Sequence, residues 1–78
     1  MDTINELYHK YETGIALQSE IIASCRRDLD KAKKARKNKQ AAELTRYLRI
    51  LYEEKHEMML NAHELRRYIE VTQPQHKS

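Results

Sequence analysis

Two apolar stripes, one in each half of the chain, mirror each other about the middle of the sequence. In both stripes the positions recur at alternating spacings of three and four residues, the period of a helix that buries one narrow seam. The first stripe comprises Ile4, Tyr8, Tyr11, Ile15, Gln18, Ile22, Cys25, Leu29 and Ala32. The second comprises Ala41, Leu44, Leu48, Leu51, Lys55, Met58, Ala62, Leu65 and Ile69. The doubled seam predicts an all-α fold with two long helices.

The join between the stripes decides how the two helices are arranged. Ala41 follows Ala32 by nine positions, and this step turns the second stripe away from the first face of a continuous helix. If the chain folds back instead, each seam position of the first stripe pairs with one of the second, and the two residue numbers add up to 73. Ile22, for example, faces Leu51. We therefore predict an antiparallel helical hairpin, with one unbroken helix as the alternative.

Local signals set the expected boundaries at about 3–36 and 39–71. Thr3 and Glu6 form a capping-box pattern at the start of the first helix. Asn38 is predicted to take the left-handed conformation of the turn, because asparagine tolerates it better than its lysine neighbours. Pro74 disfavours helix at the preceding residue. We expect one domain at 1–72 and a flexible tail at 73–78.

Positive charge is concentrated at the predicted turn. Residues 26–49 contain ten Lys/Arg and three Asp/Glu (10 − 3 = +7), whereas the rest contains five and nine (5 − 9 = −4). A hairpin would thus have a basic tip and an acidic open end, a charge asymmetry that favours antiparallel self-assembly. The candidate phosphate-binding residues are Lys31, Lys33, Lys34, Arg36, Lys37 and Lys39. The alternative is a solvated tip that only keeps the turn soluble.

Several large apolar residues lie off the seam, more than a thin hairpin is expected to leave exposed. They predict that two hairpins dimerise into a four-helix bundle. The candidate interface residues are Leu7, Gly14, Leu17, Ile21, Ile50, Tyr52, Met59 and Leu60. Gly14 would allow a partner helix to approach closely, or is simply a tolerated weak point in its helix.

Gln18 and Lys55 are the only polar members of the stripes and fall opposite each other. A polar residue in a helical seam commonly fixes register or oligomeric state, at some cost in stability. We predict that this pair sets the register, with Gln18 accepting a hydrogen bond from the lysine. The alternative is that Lys55 only extends its ammonium group to water.

The histidines suggest a metal site that the register argues against. Glu6 and His9, like Glu53 and His56, have the Glu-x-x-His spacing of di-iron bundles, but this register turns them away from the seam. We therefore expect no metal and no cofactor. With no nucleophile–base arrangement and no glycine-rich phosphate loop, we also expect no enzymatic activity.

These observations favour a homo-oligomeric protein–protein interaction module. Its first partner would be a second copy of the chain, and another protein is a possible further one. The alternative is a nucleic-acid-associated accessory protein that uses the basic tip. We expect a cytoplasmic location without membrane association, since no signal-peptide pattern and no spanning apolar stretch is visible.

Overall fold

A computed structural model describes residues 3–72 as two helices joined by a short turn. Helix α1 is Thr3–Lys34 and helix α2 is Asn38–Thr72. They pack along their length in an elongated hairpin of 59 × 21 × 18 Å, and the described part of the chain contains no strand. The predicted all-α hairpin is confirmed. The predicted tail at 73–78 lies outside the described residues.

The packing register follows the two stripes. All eighteen stripe positions are buried or half-buried, and within α2 no other residue is. The centre of the core is formed by Ile22, Cys25, Leu48 and Leu51, against which Leu29 and Leu44 pack. The three pairs expected from the sum of 73 in this segment all lie in this one cluster.

The core is thin. Only six described residues are buried, and none of them is completely enclosed. The radius of gyration is 17.7 Å, against about 11.5 Å expected for a compact domain of this length. A single layer of seam residues is all that two helices can bury between them, so much apolar surface stays in contact with water.

The turn differs from the prediction. Helix α1 ends at Lys34, two residues earlier than expected, and Arg36 rather than Asn38 takes the left-handed conformation, with φ of 58°. The N–H of Arg36 donates to the carbonyl of Lys33 at 3.1 Å, and that of Lys37 to the carbonyl of Ala32 at 2.9 Å. These two bonds form a Schellman motif, which satisfies carbonyls at the end of α1. Asn38 instead begins α2.

The position of this turn follows from the packing rather than from local preference. The two stripes are symmetric about the bond between Arg36 and Lys37, so Ala32 and Ala41 can form the last seam pair only if the chain reverses there. The burial gained along the seam outweighs the preference of asparagine for the left-handed conformation. That preference is worth only about 1 kcal/mol.

Replacement of Arg36 by glycine is expected to stabilise the hairpin by about 1 kcal/mol, because glycine adopts a positive φ without a steric penalty. Chemical denaturation followed by circular dichroism would measure this gain. Arg36→Ala is the matched control, because it removes the same charge and retains a Cβ atom. If alanine and glycine change the free energy of unfolding equally, the strain at Arg36 is not the cause.

Gly14 contributes to packing within the hairpin. It is half-buried in α1, and a Cβ atom placed there would lie 3.2 Å from the sulfur of Met58 in α2. The missing side chain therefore lets the two helices of one chain approach each other. This intrachain contact differs from the predicted role, in which Gly14 admits the helix of a partner.

Candidate interaction surfaces

The hairpin has two unlike flanks beside its seam. Residues that immediately precede a seam position lie on one side, which we call the apolar flank, and residues that immediately follow one lie on the opposite flank. Leu7 and Tyr68, from different helices, line one groove on the apolar flank. On the opposite flank, Arg26 donates a hydrogen bond to the hydroxyl of Tyr52 at 3.3 Å. In this antiparallel pair, residues that precede a seam position in α1 thus lie on the same flank as residues that precede one in α2.

Most of the exposed apolar surface lies on the apolar flank. Ten large hydrophobic residues are exposed in the described range, and seven of them belong to this flank. They are Leu7, Leu17, Ile21, Tyr47, Ile50, Tyr68 and Val71. Six of them immediately precede a seam position. Val71 lies three positions after Tyr68 and therefore on the same side of α2. The concentration on one side distinguishes this surface from scattered apolar exposure.

The structure divides the candidate interface residues into several groups. Leu7, Leu17, Ile21 and Ile50 lie on the apolar flank, with the neighbouring Tyr47 and Tyr68, which the predicted set omitted. Tyr52 and Met59 lie on the opposite flank. Leu60 is exposed on the back of α2, while Gly14 faces Met58. A single contact surface cannot include all of them.

Gln18 connects the two helices near the middle of the seam. Its amide nitrogen donates to the backbone carbonyl of Leu51 at 3.1 Å and to the Glu54 carboxylate at 3.0 Å. Lys55 is half-buried, as the register requires, but no hydrogen bond joins it to Gln18. Gln18 therefore acts as a donor to α2, whereas the sequence suggested that it would accept a hydrogen bond from Lys55.

A shallow groove runs along the opposite flank near the open end of the hairpin. Its apolar walls are formed by Tyr8, Ile15, Met59 and Ala62, and charged groups stand at its edge. One of these is Arg66, which donates to Glu70 at 3.3 Å. Glu70, and after it the nearby Tyr8, raise the pKa of Arg66 above its already high usual value, so the guanidinium stays charged.

The candidate phosphate-binding residues surround the turn, and we call this region the basic tip. All six of them are exposed. Lys31, Lys33 and Lys34 lie in the last turn of α1, where positive charge is favourable to the helix dipole. Lys39 lies in the first turn of α2, which contains no acidic residue. The structure thus brings the six cations to one end of the hairpin.

No histidine in the described part of the chain is positioned with acidic side chains in a way that resembles a metal centre. His9, His56, Glu6 and Glu53 are all exposed, and His9 contacts Glu12 at 3.1 Å. Within residues 3–72, no group of three or more His, Cys, Asp or Glu side chains converges on one point. The Glu-x-x-His spacing here belongs to the solvent-facing sides of the helices.

Comparison with protein-family models, with curated proteins and with solved structures finds no match for this chain. Neither α1 nor α2 contains an apolar stretch sufficient to cross a lipid bilayer.

Proposed function

We propose that this protein is a self-associating helical module, in which two hairpins pack through their apolar flanks as a four-helix bundle. The observation that supports this proposal is the concentration of seven exposed hydrophobic residues on one side of the hairpin. In a two-fold dimer the same patch is used by both copies, so it must be complementary to itself. A row of leucine, isoleucine and tyrosine side chains meets that condition without requiring specific pairs.

The exposed area also supports the proposal. The accessible surface of the chain is 6565 Å², compared with about 5000 Å² for a compact monomer of its mass. A stable protein–protein interface buries about 800 Å² on each partner. Packing of one flank against its copy would cover an area of this order and provide the second layer of core that the hairpin lacks.

The charge distribution favours an antiparallel dimer, with the tip of one hairpin directed toward the open end of the other. Residues 26–49 carry a net charge of +7 and the rest of the chain −4. A parallel dimer would place two basic tips side by side, where they repel each other, whereas an antiparallel one brings opposite charges closer. We expect the antiparallel dimer to weaken as salt increases, while a parallel dimer would become tighter.

Sedimentation equilibrium at about 50 μM would test this proposal, since a module of this kind should be largely associated at such a concentration. We expect the wild-type chain to have twice the monomer mass. The variant Ile21→Glu/Ile50→Glu, which puts two carboxylates on the apolar flank, is expected to be monomeric because like charges would be buried opposite each other.

The matched control is Met59→Glu/Leu60→Glu, which adds the same charge at similarly exposed positions outside the apolar flank. It is expected to remain dimeric. A monomeric wild-type chain would overturn the proposal, and so would equal dissociation of both variants, which would assign the effect to net charge. A cytoplasmic location and the absence of enzymatic activity remain predictions from the sequence.

A further inference from the structure

We propose that the basic tip binds the phosphate backbone of nucleic acid without distinguishing base sequence. This inference does not require self-association, because a single hairpin carries all six tip residues. It rests on the number of cations at the tip, on their lack of partners and on the residue types around them.

The positive charge at the tip is not neutralised within the protein. Among the described residues, Arg66 and Glu70 form an ion pair and His9 contacts Glu12, and both contacts are in the other half of the hairpin. Asp28, Asp30 and Glu43 are the acidic residues in this region, and none forms an ion pair with a tip cation. The structure therefore concentrates mutually repelling charges at one end and leaves them available to an anionic partner.

Helix stability accounts for only part of this charge. The lysines in the last turn of α1 benefit from the helix dipole, whereas Lys39 lies in the first turn of α2, where the dipole disfavours positive charge. Arg36 occupies a left-handed position at which glycine would be less strained. Arg36 and Lys39 are thus placed where they reduce stability, which is unexpected if they serve only the fold.

The basic surface continues from the tip along both helices. Arg26 and Arg27 extend it on α1, and Arg46 and Arg49 extend it on α2. From residue 26 to residue 36 the hairpin spans about 15 Å, a distance along which duplex DNA presents about nine phosphate charges. Guanidinium groups bind phosphate oxygens in a bidentate manner, so this surface suits a linear polyanion.

The residues around these cations favour contacts with the backbone of nucleic acid over contacts with bases or lipids. Residues 31–39, which hold the six tip cations, contain no aromatic side chain on which a base could stack; the first one beyond them on α2 is the exposed Tyr47, between Arg46 and Arg49. In residues 30–43 the only apolar side chains are alanines, so nothing at the tip can insert into the apolar part of a bilayer. A charged surface without either feature matches sequence-independent phosphate binding.

Fluorescence anisotropy with a labelled duplex of arbitrary sequence, measured from about 25 to 300 mM salt, tests the proposal. The tip variant is Lys34→Gln/Lys37→Gln. It is expected to bind on the order of ten-fold more weakly near 100 mM salt, and to lose about two units from the slope of log K against log salt, because each phosphate contact contributes about 0.9. The duplex sequence should have little effect.

The control variant is Lys10→Gln/Arg67→Gln, which removes the same net charge from exposed positions near the open end. It is expected to retain the wild-type slope, and circular dichroism would establish that both variants are folded. Equal weakening by both variants, or no binding by the wild type at low salt, would overturn the proposal. Tighter binding to vesicles containing about one third phosphatidylserine than to the duplex would assign the tip to membranes and overturn it as well. The oligomeric state of each variant is measured at every salt concentration, because the proposed antiparallel dimer itself weakens as salt increases.

Discussion

The substitution Leu51→Ala is expected to lower the free energy of unfolding by about 2–4 kcal/mol, because it leaves a cavity in the centre of the core. Leu51 is 5% exposed and belongs to the central cluster with Ile22, Cys25 and Leu48. A small domain with one core seldom has more than about 3–5 kcal/mol of stability. This single truncation should therefore remove most of the stability of the hairpin, which chemical denaturation followed by circular dichroism would measure.

Leu60→Ala is the control, because it removes the same atoms from a side chain that is 53% exposed on the back of α2. It is expected to change the free energy of unfolding by less than about 0.5 kcal/mol. Similar destabilisation by both substitutions would show that burial along the seam is not what stabilises the hairpin. Protein concentration should be held constant, since dimerisation would add to the apparent stability.

Replacement of Gln18 and Lys55 together by leucine is expected to raise the melting temperature by about 5–10 °C. Both positions are half-buried in the seam, so leucine would bury more apolar surface there. The Leu51 carbonyl that accepts from Gln18 keeps its bond within α2, so no buried group loses its last partner. The loss of the specific contacts to Leu51 and Glu54 is expected to broaden the distribution of oligomers.

Thermal denaturation and sedimentation velocity would measure these two effects separately. The single variants Gln18→Leu and Lys55→Leu would show which residue is responsible for each. If the double variant is a single species of unchanged mass, the predicted register role of the pair is wrong. A lower melting temperature would instead show that the two hydrogen bonds of Gln18 contribute more to stability than the added burial does.

The seam of the hairpin could be predicted because it depends on a long periodic pattern. Eighteen positions repeat the same spacing, so burial selects one register over its neighbours. The turn was misplaced because the preference of Asn38 for a left-handed conformation was considered apart from that register. The symmetry of the stripes places the reversal between Arg36 and Lys37, and packing follows the symmetry. Where local and long-range signals disagree, the one that buries more surface determines the structure.

The candidate surfaces were predictable to different degrees. The cations of the basic tip follow directly from their position in the sequence, since a hairpin brings its middle to one end. Leu17 and Met59 were predicted to share one interface, although Leu17 precedes a seam position and Met59 follows one. This difference could have assigned them to different flanks. In both helices a residue that precedes a seam position lies on the same side of an antiparallel pair. The contacts of Gln18 with Leu51 and Glu54 depend on side-chain geometry that spacing alone does not give.

Cys25 gives this protein a built-in chemical reporter. This residue is 6% exposed and is the only cysteine of the chain, and its thiol points toward the Leu44 carbonyl across the hairpin. A thiol reagent can reach it only when α1 and α2 separate, because a buried sulfur reacts through transient opening. The modification rate of the unaltered protein therefore measures how often the helices part. A ligand that holds them together would slow this rate, and one that separates them would increase it.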